Sequence, residues 1–364
     1  MSLADKLTRE NIKGLVPYES ARRAFSGTEG EGKVWLNANE SPFANPYKLD
    51  DSVLNRYPDF QPESLIDSYA RYAGVTNKQV LAGRGADESI ELLIRTFCDD
   101  NDQILICPPT YGMYAISAET CNIGVTKVPT NADFSLNIEA MAQAKIEAEQ
   151  AGKPIKVVFV CSPNNPTGTL VSHEQIKAVI ELFAGTAIVA VDEAYIEFAP
   201  ESSVASWIDN YDNLAILRTL SKAFALAGLR CGFTLANQDI IYAMSKVIAP
   251  YPISWPVAQI ASQALTDEGI ALMKKQLVEI NNQKDRIQAA LDKLDYVYEQ
   301  IDSYSNFIMF RTEHKKALFN TLVENGILIR DYSKQVLLDN SLRISIGSEA
   351  DTDKLLAVMQ AFKA

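Results

Sequence analysis

The chain has 364 residues and only two histidines, His173 and His314. Both sit in polar stretches, Val171–Gln175 and Thr312–Lys315, that read as exposed. A histidine-rich metal site or a Ser-His-Asp triad therefore has almost nothing to build on. Cysteine offers little more. Cys98, Cys107, Cys121, Cys161 and Cys231 show no C-x-x-C spacing. Most lie in apolar runs, where cysteine behaves as a small buried hydrophobe. An odd count without a secretory signal predicts reduced thiols in the cytoplasm. The first ten residues are charged throughout and lack the apolar core of a leader. No apolar run approaches the ~18 residues that a membrane helix needs. Positive charge is also short: 34 Lys+Arg against 46 Asp+Glu leave a net charge of −12. That balance excludes a protein built to grip nucleic acid or an anionic membrane, although a small basic pocket stays open. Chemistry must then rest on Lys, Asp, Tyr, Arg or a bound cofactor.

What is present fits a globular protein, with 47% hydrophobic and 22% charged residues. At ~150 residues per domain the length predicts about two domains. Gln103–Cys107, Val157–Cys161, Ala187–Val191, Leu214–Leu217 and Cys231–Leu235 read as strands apolar on both faces. Such strands suit a sheet covered by helices on both sides. Helical patterns lie among them, at Glu88–Cys98, Met113–Glu119, Ile138–Gln150, His173–Phe183 and Gln238–Val247. This alternation predicts an α/β fold with a mainly parallel sheet. After Pro256 the texture changes to a long helical stretch, Val257–Leu294, broken near Asp267–Gly269. Strand candidates Asn306–Arg311, Ile327–Arg330 and Leu342–Ile346 follow, with helices at His314–Glu324 and Asp351–Phe362. A smaller α+β domain is expected there. The organisation read from the chain is an N-terminal arm (1–30) packing with the small domain, a large domain (31–256) and a small one (257–364).

Four motifs carry possible chemistry. Thr219-Leu220-Ser221-Lys222-Ala223-Phe224 is followed by Gly228-Leu229-Arg230-Cys231-Gly232; the plain alternative is a solvated lysine. Asp192-Glu193-Ala194-Tyr195 closes an apolar strand, where open α/β sheets bind ligands. Asp192 could equally cap a helix. Cys161-Ser162-Pro163-Asn164-Asn165-Pro166-Thr167-Gly168 could be a simple turn. Gly83-Arg84-Gly85-Ala86-Asp87-Glu88 opens a helix whose backbone N–H groups can hold phosphate.

Together, in this order and on these strand ends, the motifs resemble the fold-type-I, pyridoxal-phosphate-dependent aminotransferases. Leu36-Asn37-Ala38-Asn39-Glu40, Arg56-Tyr57-Pro58-Asp59 and Leu342–Gly347 narrow the resemblance to the histidinol-phosphate aminotransferase subfamily. The likeness covers nearly the whole chain and implies a large domain with a mainly parallel seven-stranded sheet beside a smaller α+β domain. It implies that Lys222 links to the cofactor aldehyde and then moves the substrate α-proton. Asp192 would pair with the ring nitrogen, Tyr195 and Asn165 with the ring's phenolic oxygen, and Tyr111 would stack on the ring. Ala86, Asp87, Glu88, Ser221 and Arg230 would surround the cofactor phosphate, and Tyr57 would reach it from a second subunit of a homodimer. Arg343, Arg330, Tyr18, Tyr57 and Asn165 would form the substrate side. The implied reaction passes an amino group between glutamate and imidazole-acetol phosphate, yielding histidinol phosphate and 2-oxoglutarate. Ser41-Pro42-Phe43 departs from the family's usual Asn-Pro-Tyr-Gly near the pocket entrance. An aromatic amino-acid aminotransferase, a phosphothreonine decarboxylase and a non-catalytic relative are the competing readings.

Overall fold

The computed structural model describes residues 2–17 and 33–363. Two short helices, α1 (Leu3–Leu7) and α2 (Glu10–Lys13), open the chain and bury no residue. Arg9 and Asn11 donate to the carbonyls of Thr120 and Glu119 at 3.5 and 2.8 Å. Through these contacts the two helices lie on the large unit. Leu3 and Leu7, one turn apart on α1, stay exposed at 71% and 74%. The following strand, β1 (Val34–Trp35), contacts the smaller unit. It pairs in parallel with residues 327–328 and sends Val34 and Leu36 into the C-terminal core. Residues 34–36 thus pack with the smaller unit.

The large unit alternates as the apolar runs predict. In order come α3 (Glu63–Ala73), β2 (Val80–Gly83), α4 (Ala86–Phe97), β3 (Gln103–Ile106), α5 (Met113–Cys121), β4 (Gly124–Lys127) and α6 (Ile138–Gln150). Then follow β5 (Ile155–Cys161), α7 (His173–Leu182), β6 (Ile188–Asp192), β7 (Leu214–Thr219), β8 (Gly232–Ala236), α8 (Gln238–Ser245) and α9 (Trp255–Ala264). The seven strands form one sheet in the order β2-β8-β7-β6-β5-β3-β4. β8 runs antiparallel to both neighbours, and the remaining pairs are parallel. One face packs on α3, α6, α7 and α9, the other on α4, α5 and α8. Burial on both faces is why β5–β8 read as largely apolar runs.

A 25-residue helix, α10 (Asp267–Leu291), leads into the smaller unit. Its remaining elements are β9 (Glu299–Ile301), β10 (Phe307–Arg311), α11 (Lys315–Glu324), β11 (Ile327–Leu328), β12 (Arg330–Asp331), β13 (Ser341–Ser345) and α12 (Glu349–Ala361). An antiparallel sheet runs β12-β13-β10-β9. The single strand expected over Ile327–Arg330 divides, so that β11 pairs with β1 and β12 with β13.

Candidate active site

The carboxyl ends of β2, β3, β5, β6 and β7 point to one side of the sheet, and all but β3 carry one of the four motifs. That edge is where parallel α/β sheets bind ligands. β6 ends in Asp192, only 3% exposed. Its Oδ2 accepts from the Tyr114 hydroxyl at 2.7 Å and its Oδ1 from the Ala194 N–H at 3.1 Å. Burial outweighs both bonds and pushes the carboxyl up to about 6. A buried acid in that state is stabilised by a cationic partner such as a protonated ring nitrogen.

Lys222 follows β7 on a loop fixed by Leu220 and Leu226, whose N–H groups donate to Cys231 O and Leu220 O at 3.1 Å each. Its Nζ donates to the Ala38 carbonyl at 3.2 Å and lies 5.7 Å from the centroid of the Tyr195 ring. Burial, reinforced by the positive Arg343, pushes the amine down to about 8. Tyr195 is buried, and its phenol oxygen accepts from Asn39 Nδ2 at 2.9 Å. Asn165, past the end of β5, accepts from Arg343 Nη1 at 2.5 Å. Tyr111, past β3, donates to Asp87 Oδ1 at 3.0 Å.

An anion cradle lies at the start of α4. The helix begins at Ala86 with no side-chain cap, behind Gly85 at φ +85°. A Cβ on Gly85 would come within 2.7 Å of Arg230 Nη2, and one on Gly232 within 2.5 Å of the Ala86 nitrogen. The two glycines thus let a guanidinium and uncapped N–H groups converge. Arg230 itself is left-handed, at φ +57°, with Nη2 3.4 Å from Asp87 Oδ2. Ser221 Oγ accepts from Thr219 Oγ1 at 2.9 Å, which leaves its own proton to donate. Glu88 is different. Its carboxylate accepts the Arg84 N–H and pairs with the Arg84 guanidinium, both at 2.5 Å. Only its backbone is left for a cofactor. Lysine, acid, phenol and cradle together fit pyridoxal phosphate. Among the described residues, no His/Cys/Asp/Glu group could hold a metal ion.

On the facing unit Arg343 is 3% exposed. Its Nη2 donates to the Asn37 carbonyl at 3.0 Å, and its guanidinium lies between the rings of Phe307 (5.0 Å) and Tyr332 (4.9 Å). Its Nε is buried with no protein partner. Arg330 stands directly across the ladder from Arg343, so both side chains leave the same face of the sheet. Tyr57 is 78% exposed and stacks on Tyr251 at 4.4 Å. Tyr18 lies outside the described residues.

Three groups received no role from the motif reading: Tyr114, Asn39 and the Phe307/Tyr332 pair. Tyr114 lies in the first turn of α5, three residues after Tyr111, and the two rings meet edge-on at 5.6 Å. The other contacts join distant segments and leave no local trace.

The aminotransferase class I and II family matches residues 30–359. A histidinol-phosphate aminotransferase of Pseudoalteromonas atlantica is 56% identical over 362 residues, covering 99% of this chain and 96% of that protein. One of Escherichia fergusonii is 49% identical, covering 98% and 97%. A crystal structure of histidinol-phosphate aminotransferase from Sinorhizobium meliloti, in complex with pyridoxal-5'-phosphate, superposes with a TM-score of 0.83 at 22% identity. It covers 98% of both chains and shares the fold.

Proposed function

The chain belongs to the histidinol-phosphate aminotransferases within the class I and II aminotransferases, and from that premise we propose its reaction and the residues that perform it. The enzyme passes an amino group between L-glutamate and imidazole-acetol phosphate, giving L-histidinol phosphate and 2-oxoglutarate in histidine biosynthesis. Besides membership, the observation that carries this reading is the placement of Arg330 opposite Arg343 on one sheet face. Two arginines converging there suit an anion larger than a carboxylate, and guanidinium binds phosphate bidentately. In a ping-pong cycle both substrates use one pocket, so these arginines receive the glutamate carboxylate or the phosphate in turn.

Pyridoxal 5'-phosphate, when bound, supplies the electron sink for charge left at the substrate α-carbon. Lys222 holds the cofactor and takes the α-proton at Nζ; an amine at about 8 is partly neutral at physiological pH, as a base must be. Asp192, as carboxylate, keeps a ring nitrogen protonated. Tyr195 and Asn165 hold the phenolic oxygen, and Tyr111 covers a ring face. Arg230, the Ser221 hydroxyl and the Ala86–Glu88 backbone hold the phosphate. Tyr57, exposed on the single chain, reaches the site of a second copy, which makes the active form a homodimer. Tyr18 is assigned to substrate binding by the resemblance of its Val16-Pro17-Tyr18-Glu19 stretch alone. No helix among the described residues is long and apolar enough to cross a membrane, and five unpaired cysteines suit the cytoplasm.

A substrate panel tests the reading. Amino transfer from glutamate to imidazole-acetol phosphate should exceed transfer to phenylpyruvate by a large factor. Equal rates would favour an aromatic aminotransferase. Carbon dioxide release from phosphothreonine would make the enzyme a lyase.

A further inference from the structure

Asn39 is 1% exposed and holds a left-handed backbone, φ +54°. Such a conformation persists in a non-glycine residue only where the surroundings impose it. Four bonds do so. The Asn39 N–H donates to Ser345 Oγ at 2.8 Å, and Ser345 Oγ donates to Asn39 Oδ1 at 2.9 Å. Asn306 Nδ2 donates to the Asn39 carbonyl at 2.9 Å, and Asn39 Nδ2 donates to the Tyr195 phenol oxygen at 2.9 Å. Exchanging the amide oxygen and nitrogen would leave the Ser345 proton without its acceptor. With its Oδ1 taken by Ser345, the carboxamide turns its NH2 toward Tyr195, whose own proton is left for the cofactor.

From this geometry we propose that Asn39 is a positioning residue that sets the direction in which Tyr195 donates its proton. A phenol oxygen that already accepts from Asn39 must turn its O–H elsewhere. The direction left is toward the cofactor's phenolic oxygen, the partner assigned to Tyr195 above, and the inference rests on that assignment. A donor there stabilises the phenolic oxygen as an anion, which lowers the pH at which the lysine-linked cofactor loses its imine proton. The neighbouring carbonyls bind the rest of the site: Asn37 O takes Arg343, and Ala38 O takes Lys222. One short segment thus fixes the phenol direction together with the lysine and the substrate arginine.

The test is an absorbance titration of the holoenzyme. Asn39→Gly removes the donor and suits φ +54° without strain. Asn39→Asp keeps the shape but accepts the Tyr195 proton, pulling it from the cofactor. Both should raise the midpoint of the visible absorbance change, the glycine variant by ~0.5–1 pH unit. In a Tyr195→Phe background Asn39→Gly should add no further shift, a non-additivity that a purely structural role would not produce. An unshifted midpoint in Asn39→Gly, or full additivity with Tyr195→Phe, overturns the proposal. If Tyr195→Phe alone leaves the midpoint unmoved, the assignment of Tyr195 fails first and the proposal with it.

Discussion

Tyr114 donates its phenolic proton to Asp192 Oδ2 at 2.7 Å while its ring lies flat against Phe159, with centroids 4.6 Å apart. The bond opposes the burial that raises the Asp192 carboxyl to about 6. Tyr114→Phe keeps the stacked ring and deletes the donor. The carboxyl should then rise further, so that less of it is charged near neutrality. Cofactor binding needs that charge. A hydrogen bond to a charged group contributes ~1.5 kcal/mol or more, so the dissociation constant of pyridoxal phosphate from the apoenzyme should increase about tenfold. The loss should be larger at pH 6 than at pH 8, and thermal stability should change little. An unchanged affinity at pH 6 would remove Tyr114 from the site.

Lys222, lowered to about 8, should reveal itself in the pH dependence of cofactor capture. Only the neutral amine attacks the aldehyde. Between pH 6 and 8 the capture rate should climb roughly tenfold per unit and then level off near pH 8. An ordinary lysine, near ~10.4, would keep climbing to pH 10. Arg343→Met removes a positive neighbour that helps to depress the amine, and should move the plateau to higher pH. Stopped-flow absorbance of apoenzyme mixed with pyridoxal phosphate measures both.

Much of this was legible in the sequence because the informative residues are local. Strand runs such as Val157–Cys161 show their burial directly, and Lys222, Asp192 and Arg230 stand at fixed distances from strand ends. The edge strands β2 and β4 escaped. Gly124–Lys127 is only part-buried, so no apolar run marks it. The contact of Asn11 with Glu119 has no sequence signal either, since it spans 108 positions and is polar. Asn39 lay within a quoted motif, but its partners Tyr195, Asn306 and Ser345 are brought to it only by the fold. A pattern reading finds which residues carry chemistry. The groups that orient them come from tertiary structure.

Arg343 and Arg330 should separate in kinetics. Arg343 bonds Asn165 and Asn37 and is held between two rings, so Arg343→Lys loses both planar stacking and bidentate donors. KM should rise for glutamate and for the phosphorylated ketone, each by ~10–100-fold. Arg330 is only part-buried on a two-residue strand. Arg330→Ala should raise KM for the phosphorylated substrate more than for glutamate. Equal effects of Arg330→Ala on the two half-reactions would contradict its role toward phosphate.

Behind the site, Glu193 and Arg218 form an ion pair at 2.6 Å, with side chains 1% and 7% exposed. The pair clamps β6 to β7 just beyond Asp192, and Ser203 and the Val204 N–H complete the carboxylate's bonds. Glu193→Gln leaves a buried guanidinium without its countercharge, which should cost ~3–5 kcal/mol in denaturant unfolding of the apoenzyme. Replacing both residues with methionine should restore most of that loss below pH 7, where Glu197 is protonated and no charge then stays buried alone. A single-variant cost below ~1 kcal/mol would mean that water reaches the pair.

Glu197 lies beside that clamp, buried, with Oε1 accepting from Tyr72 at 3.3 Å and Oε2 without a partner. Burial pushes its carboxyl up to about 7, with Arg218 opposing, against 4.5 for an ordinary glutamate. Between those values the folded protein keeps a proton that the unfolded chain has released. Stability therefore falls as pH rises through that window, and above pH 7 the cost of a buried charge is fully present. Glu197→Gln imitates the protonated form and retains an acceptor for Tyr72. It should stabilise the protein by up to ~3 kcal/mol at pH 8 and by almost nothing at pH 4. Urea unfolding of both proteins at the two pH values measures the difference. A gain that is the same at pH 4 and pH 8 would show that Glu197 does not titrate in this window and that the substitution acts through packing.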